Sequence, residues 1–149
     1  MTVVLVKRAG AGAAASRSFK RSYDSLAEIF AFTAETMNPQ LRRTVDFVLE
    51  ELFTNVVKYG RRSDTPVRID IGRIAGGVEV TLTDTDAEPF DVTRAPDADT
   101  NLPIESRKPG GLGIHLVRRM VDALEYRHSP ETRTTRISFR KVQRPDADD

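Results

Sequence analysis

The chain has 149 residues, 39% of them hydrophobic and 30% charged, with a formal net charge of +1. That size points to one domain with a single core, the near-neutral balance gives no whole-molecule field that would favour a nucleic acid, and no apolar run nears the ~20 residues a membrane span needs. Zero cysteines exclude disulfides and thiolate metal sites and suit a cytoplasmic home, and two histidines, His115 and His128, are too few for a histidine zinc site.

Arginine outnumbers lysine 18 to 5. The doublets Arg42-Arg43, Arg61-Arg62 and Arg118-Arg119 read first as solvated helix or loop faces. Bidentate pairing with phosphate or an acidic partner is the sharper alternative. No basic run is interleaved with aromatic residues, so no direct nucleic-acid contact is expected.

Residues 1–17 are small and basic and lack the apolar stretch and cleavage site of an export signal. They read as a flexible arm with a marginal edge strand over Val3 to Val6, and a first strand is expected from Ser18 to Tyr23. Ser25-Leu-Ala-Glu28 has the pattern of a capping box, opening a helix that ends near Met37, and Asn38-Pro39 marks the break. A second helix follows from about Pro39 to Tyr59, with apolar positions 41, 45, 48, 49, 52 and 56 at the 3.6-residue period and Gly60 placed to end it. Val67–Ile74 and Val78–Thr83 alternate on either side of Ala75-Gly76-Gly77, the pattern of a β-hairpin.

Residues 84–109 are rich in acidic residues and proline and carry little periodicity, the mark of a functional loop such as a lid or of a disordered segment. A third helix is expected from about Gly113 to Asp122, then strands over Leu124–His128 and Thr134–Val142. Residues 143–149 read as a disordered tail. The order β-α-α-β-β-loop-α-β-β predicts an α+β two-layer sandwich: a mixed, mainly antiparallel sheet with helices on one face.

Three segments carry chemistry. Glu51 and Asn55 lie four residues apart, close to one turn, beside the apolar stripe of the second helix. Asn55 can offer its amide oxygen to Mg²⁺, a hard ion that takes few protein ligands, and Glu51 can deprotonate a nucleophile beside it. The plain alternative is a pair of ordinary polar residues on an exposed helix. Next, Asp84 closes a strand and can accept a hydrogen bond from an exocyclic amine, although Asp is also common in turns. Last, Lys108-Pro-Gly110-Gly111-Leu112-Gly113 runs into a helix whose first N–H groups can hold phosphate, or is simply a glycine-rich turn. No Gly-Lys-Ser/Thr follows it, so it is not a P-loop, and no strand directly precedes it, so it is not a dinucleotide fingerprint.

In this order and spacing the three segments resemble the boxes of the GHKL ATPase superfamily: Glu51-x-x-x-Asn55, Asp84-x-Asp86-x-x-Pro89-Phe90-Asp91 and Gly110-Gly111-Leu112-Gly113. The short single domain, the Pro-Phe-Asp and the Gly-Gly-Leu-Gly-Ile-x-Leu-Val run most resemble the bacterial anti-sigma factor serine kinases of partner-switching systems. The resemblance covers residues 18–142 and implies a Bergerat-type fold with ATP between helices and sheet. It implies Asn55 as Mg²⁺ ligand, Glu51 as the base that activates a partner's serine, and Asp84 as the reader of the adenine amine. Gly110, Gly111, Leu112 and Gly113 would form the phosphate loop, residues 92–109 the lid, and Thr135 the threonine near adenine, with Thr134 the neighbouring register. Arg107 and Lys108 can meet phosphates by their charge and place beside the loop.

The family's partners would be a sigma factor, sequestered by a homodimer, and a small STAS-type anti-sigma antagonist phosphorylated on serine. One departure stands out: the family has glycine two residues after the adenine-reading aspartate, and this chain has Asp86. A side chain there would crowd the purine, which leaves a nucleotide-dependent binding module without phosphoryl transfer as the alternative function. A sensor histidine kinase would be expected to add a membrane segment and a helix bearing a phosphoacceptor histidine. A DNA-topology ATPase would add a transducer domain beyond 149 residues.

Overall fold

The computed structural model describes residues 4–7, 13–59, 64–85 and 111–143. Its elements are strands β1 (Val4–Lys7) and β2 (Ala13–Phe19), helices α1 (Leu26–Thr36) and α2 (Pro39–Tyr59), the hairpin β3 (Val67–Ile74) and β4 (Gly77–Asp84), helix α3 (Gly111–Met120), and strands β5 (Ala123–Ser129) and β6 (Thr134–Val142). The six strands form one sheet in the order β1-β2-β3-β4-β6-β5, with every neighbouring pair antiparallel. The expected two-layer sandwich is what forms.

Alternation along the strands sets the layers. Val67, Ile69 and Ile71 of β3, Val78, Val80 and Leu82 of β4, and Ile137 and Phe139 of β6 are buried together with residues of all three helices. The intervening residues, among them Arg68, Glu79, Thr81, Arg136 and Ser138, line a polar groove on the opposite face. In register, Ile69 faces Leu82, Leu82 faces Ile137, and Ile137 faces Tyr126, so one row of apolar side chains crosses four strands.

Helix α2 lies against this surface. Its entry is fixed by Asn38, whose Oδ1 accepts from Leu41 N at 2.9 Å, with Pro39 in the first helical position. Leu41, Val45, Val48, Leu49, Leu52, Phe53 and Val56 are buried, each contributing about 1.5–3 kcal/mol on leaving water. Helix α1 is held to it by Thr33, whose hydroxyl lies 2.6 Å from Asp46 Oδ1. Burial raises the pKa of Asp46, and the Thr33 hydrogen bond and the Arg42 charge oppose that rise. Phe19 of β2 packs on Phe32 of α1 with ring centroids 5.8 Å apart.

Several boundaries differ from expectation. The first long strand begins at Ala13 rather than Ser18 and ends at Phe19, so the last residues of the expected arm are sheet, paired with β1 and β3. The edge strand over Val4–Lys7 is formed. The capping box at Ser25 is not: its side chain makes no cap bond but donates to Lys20 O at 2.7 Å, and a 3₁₀ turn over Tyr23–Ser25, capped by Ser22, precedes α1. Helix α3 starts at Gly111 rather than Gly113. Gly60, the lid at 92–109 and the tail from 144 lie outside the described residues.

The β3–β4 turn needs both its glycines. Gly76 has φ +75°, a backbone region that favours glycine. Gly77 pairs with Val142, and a Cβ there would meet Val142 Cα at 2.8 Å and the Lys141 carbonyl oxygen closer still. Both are backbone atoms and cannot swing aside. Gly77→Ala should lower stability by about 1–3 kcal/mol, the usual cost of overpacking, read as a lower urea midpoint with an unchanged m-value.

Candidate functional site

The stripe that packs α2 on the sheet also orients its neighbours on the helix wheel. Asn55 follows Leu52 by three residues and precedes Val56 by one, and it is buried, 8% exposed. That is deeper than the half-shielded margin its position suggests. Glu51, one turn earlier, is half-buried. Loss of water raises its carboxyl pKa above the usual glutamate value, and the neighbouring Glu50 charge adds to the rise. A carboxylate so placed is a better proton acceptor than a solvated one.

Helix α3 brings the glycine segment to this pair. Ile114 and Val117 are buried against the common core, which turns the first residues of α3 toward α2. At Gly113 a Cβ would sit 2.8 Å from Glu51 Oε1 and closer to Oε2 and Cδ. The space a side chain would fill is therefore the space the Glu51 carboxylate occupies. Gly111 opens the helix, at whose N-terminal end backbone N–H groups lack intrahelical partners. The Glu51, Asn55 and Gly111–Gly113 segments thus meet in one place.

The sheet carries a second group of polar residues. Asp84 is the fourth inward position of β4, after Val78, Val80 and Leu82, and is buried, 6% exposed. Thr135 faces it across β4 and β6 and is also buried, and His128 faces Thr135 across β5 and β6. His128 Nδ1 and Thr135 Oγ1 are 2.7 Å apart. Arg21, just after β2, donates from Nη2 to Asp84 Oδ1, and that nitrogen lies 3.5 Å from Thr85 O. The apolar rows of the sheet therefore end in a polar group of Arg21, Asp84, Thr135 and His128.

Sequence reasoning missed Arg21 and His128. Arg21 is 63 residues from Asp84, and no local spacing links them. The available signal was physical: a carboxylate on the inward face of a strand needs a partner. Gly110, Arg107, Lys108 and Asp86 lie outside the described residues, as do the side chains of Gly111 and Leu112.

A divalent cation fits the α2 pair. Asn55 Nδ2 is buried with no hydrogen-bond partner. The two ends of a carboxamide are told apart only by their partners, so Oδ1 can face the same space. An unsatisfied buried amide costs stability, and a hard cation or its water would satisfy it. Among the described residues no three His, Cys, Asp or Glu side chains form a metal cage. The donor set suits Mg²⁺, which keeps most of its waters and takes one or two protein oxygens alongside substrate phosphates.

The raised Glu51 pKa has a consequence for stability. A carboxyl that binds its proton more tightly folded than unfolded loses stability as pH rises from the unfolded value through the folded one. Above that window Glu51 is a net burden on the fold. Glu51→Gln removes the charge and keeps the shape, so it should raise Tm at pH 7. The gain should shrink as pH falls toward the ordinary glutamate value of 4.5, a trend followed by thermal melts at stepped pH.

Among the described residues no helix is long and apolar enough to cross a membrane. Comparison with curated proteins gives no match. A family model described as the histidine kinase-like ATPase domain matches residues 14–139, from β2 through most of β6. That span takes in the α2 pair, the inward end of β4 and the start of α3, and it implies ATP as the bound nucleotide. With five-sixths of its length matched, this chain belongs to the histidine kinase-like ATPase domain family.

Proposed function

We propose that this ATPase domain is a protein serine kinase and anti-sigma factor. In this reading it sequesters a sigma factor as a homodimer in the cytoplasm and phosphorylates a small STAS-type antagonist on serine. The observation that carries the kinase half is the packing of Gly113 against the Glu51 carboxylate with Asn55 one turn along α2. A base, a magnesium ligand and a phosphate-holding helix start converge there. The short chain, Pro89-Phe90-Asp91 and the Gly-Gly-Leu-Gly-Ile-x-Leu-Val run from Gly110 support the anti-sigma half.

Each residue has a definite task. Glu51 accepts the proton of the incoming serine hydroxyl. The hydroxyl oxygen bonds to the γ-phosphorus, the bond from that phosphorus to the β–γ bridging oxygen breaks, and ADP leaves. Asn55 would hold Mg²⁺, which when bound neutralises charge on the phosphates. The N–H groups at the start of α3 would cradle the phosphates, and Asp84 would accept the adenine amine beside Thr135. Phosphate on the antagonist adds about −1.5 to −2 charge at pH 7, enough to weaken an interface by repulsion and desolvation.

The second reading, a nucleotide-dependent binding module without transfer, is favoured by Asp86 in place of the family's glycine. One assay separates the two: incubation with γ-labelled ATP, magnesium and a candidate antagonist. A kinase transfers label to serine, and Glu51→Ala should cut the rate by about 10²–10⁴-fold, the usual worth of a general base. Tight partner binding without transfer supports the module. In the same assay the acid limb of kcat/KM should lie above pH 4.5, because Glu51 must be unprotonated to accept and its pKa is raised in the free protein.

Gly113→Ala provides an independent check. The added methyl group meets the far end of a flexible side chain, so the fold should survive, but the carboxylate must move. A misplacement near 1 Å costs about 10²-fold in rate. Transfer should fall by about that factor at nearly unchanged Tm, whereas an unaltered rate would show that Glu51 is not the base.

A further inference from the structure

Arg21 is placed unlike any other arginine among the described ion pairs. Its side chain is 4% exposed and that of Asp84 is 9% exposed, whereas the remaining described pairs each have at least one partner with more than a fifth of its side chain in water. A buried carboxylate needs a compensating charge, but a compensating charge alone would not require this geometry. One guanidinium nitrogen contacts Oδ1 and reaches toward the Thr85 carbonyl. The hydrogen bond between the two side chains is to Oδ1.

A carboxylate carries about four acceptor sites on two oxygens. With Oδ1 engaged by a single guanidinium nitrogen, the turning of the carboxylate about its last bond is restricted, and Oδ2 is the oxygen that can read a ligand. Thr135, in register with Asp84, bounds the same place and has its hydroxyl engaged with His128. A reader whose direction is restricted discriminates more sharply than one that can turn away from a mismatched group.

From this geometry, and resting on the reading of Asp84 as the adenine-amine acceptor, we infer that Arg21 is a specificity-determining positioning residue. It holds Asp84 so that Oδ2 accepts from an exocyclic purine amine, and thereby sets the preference for ATP over a purine triphosphate lacking that amine. Arg21 itself touches no substrate.

The test compares dissociation constants of ATP and purine riboside triphosphate by calorimetric titration, in the wild type and in Arg21→Gln, Arg21→Lys and Asp84→Asn. The wild type should prefer ATP by about 10–100-fold, the worth of one hydrogen bond to a charged acceptor. In Arg21→Gln that ratio should fall below about threefold, mainly through weaker ATP binding. Arg21→Lys keeps the charge without the fork and should retain an intermediate ratio, and it serves as the informative variant if Arg21→Gln does not fold. A purely structural role would weaken both nucleotides alike and leave the ratio unchanged, which overturns the inference. A rise in ATP affinity in Arg21→Gln also overturns it, since Arg21 would then compete with adenine for Asp84. The two levels of failure are distinct. If the wild type shows no preference, or Asp84→Asn keeps it, the adenine reading falls too. If Asp84→Asn loses the preference and both Arg21 variants keep it, only the role of Arg21 falls.

Discussion

The burial of one face of α2 fixes nearly everything else. Seven apolar side chains from Leu41 to Val56 are buried on that helix, and at about 1.5–3 kcal/mol each they outweigh any cost the polar residues beside them impose. Rotating the helix by one residue, about 100°, would expose the stripe, so its orientation is not adjustable. Glu51 and Asn55 take their positions from that orientation. A partly desolvated carboxylate and a buried carboxamide would not choose these places, and the core holds them there.

The sheet applies the same logic with period two. Because Val78, Val80 and Leu82 point inward, the register sends Asp84 inward as well, and a shift by one residue would turn all four outward. The pairing with β6 then puts Thr135 opposite Asp84, and the pairing of β6 with β5 puts His128 opposite Thr135. This polar group is thus the continuation of apolar rows past the point where apolar residues stop. Helix α3 closes the arrangement because Ile114 and Val117 belong to the same core as α2. One contiguous core therefore holds α2, α3 and the sheet together.

Elements with dense internal signals could be read from sequence. Helix α2 over 39–59 and strand β6 over 134–142 lie where their periodicity places them, since seven inward residues at one period leave little choice of register. The hairpin follows from alternation around Ala75-Gly76-Gly77 in the same way. Strand β2 was harder because Ala13-Ala14-Ala15-Ser16 offers no contrast between faces, and its strand character comes from hydrogen bonding between β1 and β3. Ser25 has the right spacing for a capping box, but the Lys20 carbonyl takes its hydroxyl first. In the site, Glu51 and Asn55 could be named from their spacing of one helical turn beside the apolar stripe and Asp84 from its place at a strand end, whereas Thr135 could be named only from the family resemblance. Arg21 breaks no pattern and is joined to Asp84 only by the fold.

Gly113 is a further residue that a helical pattern does not call for, and its neighbour Glu51 accounts for it. Glycine in a helix costs about 0.8–1 kcal/mol relative to alanine, and α3 carries two in its first turn, Gly111 and Gly113. Nothing in the packing of α3 on the core calls for Gly113, because Ile114 and Val117 make that contact. What excludes a side chain there is the Glu51 carboxylate, itself held in a place that raises its pKa. Each residue is locally unfavourable, and each is accounted for by the other. Add the buried, unpartnered Asn55 amide one turn away, and the local costs gather at the same junction of α2 and α3. A fold selected for stability alone would place alanine at 113 and an uncharged residue at 51. Their concentration at one junction, where the start of α3 faces a partly desolvated carboxylate, is what a site kept for chemistry predicts.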